Sequence, residues 1–156
     1  MINEVSKWIE ETVSQYIPHA RKCSELAPDL RGCYPEEFLD NSYFVVTENI
    51  PKPQVLSQDL NLRNFITMDV DGITYKNLYF VKPQAVNDIA LHVHELVHVY
   101  QWSILGVQGF LERYITEVTI NGYQGAPLEK MAYEIEQMFR ISTNSFDILS
   151  IVKQRI

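Results

Sequence analysis

The pentapeptide His94-Glu95-Leu96-Val97-His98 constrains this chain more than any other feature. It lies in a stretch, about Ala85 to Leu105, whose apolar residues recur at helical spacing between Pro83 and Gly106. On a helix, residues four apart project from one face a turn apart, so His94 and His98 can hold one ion. With His94 at zero and about 100° per residue, His98 lies about 40° away and Gln101 about 20° away. Ile89, Val93, Leu96, Val97, Tyr100 and Ile104 form a stripe roughly 60° to 160° round, on the side away from Glu95. Such a helix buries the stripe and turns both histidines towards something else. Glu95 is a poor core residue, but from there its carboxylate can reach a water polarised by the ion without ligating it. Two imidazoles and that carboxylate are the smallest apparatus of a zinc hydrolase. The plain alternative, two core or surface histidines, leaves Glu95 without a reason. His92, about 200° from His94, is off the ligand face and fits the rim near Glu95.

Upstream, Val5, Ile9, Val13 and Tyr16-Ile17 give a first helix that Pro18 stops, and mixed sequence follows from His19 to Asp40 with room for a second short helix. Ser42 to Thr47 reads as a strand. The runs Asn64–Val70 and Ile73–Phe80, separated by Asp71-Gly72, read as a β-hairpin with a two-residue turn. After the motif helix come a helix over about Val107 to Thr116, one starting at Pro127 and running to about Arg140, and a last one over about Ser145 to Gln154. The expectation is one α+β domain over residues 1–156: a small antiparallel sheet, the motif helix, then C-terminal helices. Residues 61–142 form its core, and residues 1–60 are an N-terminal portion of less certain role.

A catalytic zinc takes three protein ligands and keeps one position for water. Glu129, in the first turn of the helix opened by Pro127-Leu128, is the favoured third ligand, because a helix-loop-helix return brings it back to His98. Glu134 and Glu136 are the acidic rivals, and Glu136, about two turns past Glu129, shares its face more nearly. An oxyanion in the reaction needs a donor, and Tyr123 and Tyr114 are the candidates, since phenol donates without adding charge. With nine tyrosines in the chain, ordinary packing is the competing account of each.

His-Glu-Leu-Val-His followed by Glu129-x-x-Ala132 resembles the gluzincin zinc metallopeptidases, which include the thermolysin-like enzymes. The string His94 to Gln101, then Phe110 to Tyr114, then Pro127-Leu128-Glu129 through Ala132-Tyr133, is similar to small bacterial domains carrying His-Glu-x-x-His-Val-x-Gln and Pro-Leu-Glu-x-x-Ala-Tyr. The likeness covers about residues 85 to 140. It implies a minimal zincin-like fold, Zn2+ as cofactor, His94, His98 and Glu129 as ligands, Glu95 as general base, and peptide or protein substrates. Where the thermolysin-like pattern places an Asp that orients a ligand histidine, this chain has Tyr133, so Tyr133, Gln101 or a backbone carbonyl must serve instead. Residues 73–80 could offer a strand edge to an extended peptide, with Lys76 as an edge charge that discourages aggregation. The alternative is a zinc-binding scaffold or interaction module with the same core and little turnover; the missing Asp favours it and Glu95 opposes it.

The net charge of −7 opposes binding to nucleic acid or anionic membranes. Neither a leader with basic and apolar regions nor an apolar run of about 18 residues is present, so a soluble, cytoplasmic protein is expected. In that compartment Cys23 and Cys33 stay as thiols. A domain of this size leaves little room for a second lobe, which suggests narrow selection or a partner protein or larger assembly.

Overall fold

The computed structural model describes all 156 residues. Its α-helices are α1 (Ile2–Tyr16), α2 (Glu36–Asp40), α3 (Arg63–Thr67), α4 (Ile89–Asn121), α5 (Pro127–Ile141) and α6 (Ile148–Arg155). Its strands are β1 (Arg21–Lys22), β2 (Tyr43–Val46), β3 (Gly72–Tyr75) and β4 (Leu78–Val81), in the order β1-β2-β4-β3. The fold is α+β as expected, but the sheet is mixed rather than antiparallel, because β2 runs parallel to β4 in register Tyr43↔Leu78 to Val46↔Val81. No helix is long and apolar enough to cross a membrane.

Alternation along the strands divides the interior in two. Ile73, Tyr75, Leu78 and Phe80 point to one face, where Val5, Ile9 and Val13 of α1 cover them. Phe44, Tyr79 and Val81 point to the other, against Val93, Leu96 and Val97 of α4 and Met131, Ala132 and Ile135 of α5. The motif helix thus buries Val93, Leu96 and Val97 of the stripe read from its sequence and half-buries Ile89 and Tyr100, but it leaves Ile104, next to the break at Gly106, exposed.

The hairpin does not turn at Asp71-Gly72. It turns at Lys76-Asn77, with Tyr75 paired to Leu78 and Lys76 at φ 60. Tertiary contacts hold this turn: the Lys76 ammonium reaches Glu10 at 2.9 Å, and the Asn77 amide donates to the Asn41 carbonyl at 3.0 Å. Lys76 is therefore a turn residue with an ion-pair partner, not an edge-strand charge. Residues 64–67, expected in a strand, belong to the short helix α3. The Lys52 ammonium donates to the carbonyls of Phe65 and Ile66 at 3.1 and 3.2 Å, serving groups a helix end leaves unpaired.

Gly106 breaks α4 into two arms. Its φ of 73° and ψ of 170° are open essentially to glycine alone, and the helix resumes at once and runs to Gly122, whose φ is 76°. The sequence pattern anticipates the break; the second arm is longer than the expected 107–116.

Candidate metal centre

His94, Glu95 and His98 lie on the first arm of α4, and Glu129 in the first turn of α5, which packs against it. Asp88 caps α4 by accepting from the Ala90 amide at 3.2 Å, and Pro127 opens α5. His94, Glu95 and Glu129 are 3% exposed and His98 5%. Buried polar atoms need partners, and most of these have unusual ones. His94 Nε2 is 3.2 Å from His98 Nε2 and 3.2 Å from Glu129 Oε1, and His98 Nε2 is 3.1 Å from that same oxygen.

The tautomers follow from the outer contacts. His94 Nδ1 lies 3.0 Å from Glu136 Oε1, a carboxylate that only accepts, so Nδ1 carries the proton. Gln101 donates its amide to the Leu128 carbonyl at 3.1 Å, which turns its oxygen to accept from His98 Nδ1 at 2.7 Å. Both Nε2 lone pairs therefore face Glu129 Oε1, and three acceptors converge with nothing of the chain's own to satisfy them. Only a cation or an added proton reconciles them. Ligand atoms about 2.0–2.1 Å from a tetrahedral zinc stand about 3.3–3.4 Å apart, close to the spacing here. No fourth Cys, His, Asp or Glu atom joins the group within 4.8 Å, so a tetrahedral ion held there would have one position that these side-chain types do not fill. His94, His98 and Glu129 could hold a metal ion.

Without an ion, a proton takes its place. Burial disfavours charge on His94, but hydrogen bonds to Glu129 and Glu136 and the Glu95 charge carry it up to about 10. Burial likewise opposes charge on Glu129, and the two histidines hold its carboxyl far below the usual range.

Glu95 occupies a niche beside the triad. Its Oε1 accepts from the Thr74 hydroxyl at 2.9 Å, leaving Oε2 on the metal side, 3.8 Å from His94 Nε2. Burial pushes its carboxyl up, opposed by the histidine charges. Gly72 is what makes room: a Cβ there would stand 3.0 Å from Glu95 Cδ. Asp71-Gly72 thus marks a close approach, not a turn.

Tyr114, from the second arm of α4, donates to Glu129 Oε2 at 2.7 Å. Its hydroxyl holds a ligand, leaving Oε1 to face the histidines. Tyr123, on the loop between α4 and α5, lines the cavities on both sides of Glu95, and Tyr133 lines one of them. The role left open by Tyr133 goes elsewhere: its ring packs 4.5 Å from that of His94, while Glu136 supplies the orienting carboxylate. Glu136 Oε2 in turn accepts from Arg140 at 2.9 Å, and Arg140 reaches the cap residue Asp88 at 2.7 Å. Glu136 is an outer partner rather than a rival ligand. Glu134 pairs with Arg155 away from the site. His92 is not at the rim: it is buried, accepting from the Tyr79 hydroxyl at Nδ1 (2.6 Å) and donating from Nε2 to the Val86 carbonyl (2.7 Å).

Thr74, Gly72 and Arg140 were not expected here. The phase of Arg140, four residues past Glu136, could have suggested the last; the others depend on strand register. No protein-family model, curated protein or solved structure matches the chain, and the site rests on this geometry alone.

Proposed function

We propose that the chain is a zinc-dependent metallopeptidase of the gluzincin type, hydrolysing amide bonds. The observation that carries this reading is the three-way convergence of His94 Nε2, His98 Nε2 and Glu129 Oε1 at 3.1–3.2 Å, with Glu95 alongside and no fourth Cys, His, Asp or Glu atom in the group. Two histidines and a glutamate are a ligand set of catalytic zinc, and all three are fixed from behind by Glu136, Gln101 and Tyr114. Zinc bound there would polarise a carbonyl and ease deprotonation of a water. Glu95 takes the proton from the attacking water and delivers it to the leaving nitrogen. Thr74 orients Glu95 for this by holding Oε1. Tyr123, which lines the cavities on both sides of Glu95, is the remaining candidate to donate to the developing oxyanion, since Tyr114 is committed to Glu129.

The depth of the ligands favours a second reading, a zinc-holding module with little turnover. A structural site, however, is closed by four protein donors and has no use for Glu95. Metal analysis of purified protein, followed by hydrolysis of short amides by wild type and Glu95→Gln, separates the two. Stoichiometric zinc with activity only in wild type supports the hydrolase. Equal activity in both proteins removes it, and absence of zinc removes both readings.

A further inference from the structure

Two cavities meet at Glu95. One is a polar cleft of about 340 Å³ reaching His94 between Asp69 and Arg140. The other is a chamber of about 70 Å³ with largely apolar walls, whose polar floor is Glu95, His98 and Glu129. Val70, Gly72, Glu95 and Tyr123 border both. Close-packed interiors rarely keep a void much larger than a water, and this one opens on the proposed reacting groups. A cavity of about 150 Å³ takes a benzene, so this chamber takes a smaller group, on the order of three or four heavy atoms.

The chamber also limits what can lie along β3. This is an edge strand, and its register turns the backbone N–H and C=O of Gly72 and Thr74 away from β4. An extended peptide would need that edge open. Instead Ile73, Thr74 and Tyr75 are buried, with Pro53, Leu56, Leu62 and Phe65 on the walls of the same chamber. There is space for one side chain and none for a strand.

Building on the hydrolase reading, we infer that the substrate is a short amide, dipeptide-sized, whose one compact apolar group fills this chamber while its polar remainder lies in the cleft across Glu95. Xenon under pressure is the probe for the chamber, because it is small enough to enter and its binding does not depend on turnover. Zinc-loaded wild type should bind it saturably at one site, read by NMR shifts at Trp102 and Phe110, which line the chamber. Ile115→Phe, filling the chamber from a half-buried position, should weaken that binding at least tenfold while unfolding at the same temperature. In hydrolysis, blocked dipeptide amides with Val or Leu should exceed those with Ala by about 10- to 200-fold in kcat/KM, and Ile115→Phe should erase the difference. Absence of saturable xenon binding to wild type overturns the pocket, even if amides are cleaved. Casein cleaved as fast per bond as the dipeptide amides overturns the restriction to short substrates. Xenon binding with no hydrolysis of any amide removes the substrate assignment and the hydrolase reading together, leaving a ligand pocket.

Discussion

The proton that stands in for a metal gives the most quantitative prediction. In metal-free protein the His94 imidazole is carried from an ordinary 6.5 up to about 10. A raised pKa means stability that is full below pH 6.5 and lost as pH rises towards 10. At 1.36 kcal/mol per pKa unit, the ceiling is on the order of 5 kcal/mol. The lowered pKa of Glu129 is the other side of the same contact and adds nothing to that ceiling; it instead protects against acid, its share being lost as pH falls below about 4.5. A cation competes with the proton for Nε2, so its binding expels the proton and tightens about tenfold per pH unit. Urea unfolding at pH 6.5, 7.5, 8.5 and 9.5, metal-free and at chelator-buffered free zinc, tests this. The metal-free protein should weaken as pH rises. The gap between the two forms should widen by about 1.4 kcal/mol per pH unit. A gap constant from pH 6.5 to 9.5 would refute the convergence of these three atoms on one cation.

Glu136→Gln removes the charge behind His94 while Arg140 keeps Asp88; zinc affinity by chelator competition should fall about 10- to 100-fold with the fold retained. Gly72→Ala drives a methyl to within 3.0 Å of Glu95 Cδ, so steady-state kinetics should show kcat falling at least tenfold while zinc affinity holds. Tyr114→Phe leaves Glu129 Oε2 buried without a donor, which should cost about 1–3 kcal/mol in thermal unfolding. Gly106→Ala forces an alanine to φ 73°, and a loss of about 1–3 kcal/mol in urea unfolding is expected.

What could be read in advance followed from periodicity. Helical phase alone placed His94, His98 and Gln101 on one face and the apolar stripe on another, and Pro127 located the turn that carries Glu129. The β region misled because Asp71-Gly72 has the local chemistry of a turn, whereas the real turn at Lys76-Asn77 is held by Glu10 and Asn41, distant in sequence. Strand parity then decided that Thr74 meets Glu95, and parity cannot be assigned when the turn is misplaced. Glu136 was visible by phase, but the choice between ligand and outer partner depends on about one turn of reach between two packed helices.

The break at Gly106 has a consequence for how the site stays together. His98 and Tyr114 are far apart along an unbroken helix, roughly 24 Å at 1.5 Å per residue, yet both touch the Glu129 carboxylate. Folding the helix back on itself makes one carboxylate the meeting point of both arms. An ion gripped there would act as a rivet across the bend, so proteases that nick the peptide around Gly106 should find the zinc-loaded protein the harder target.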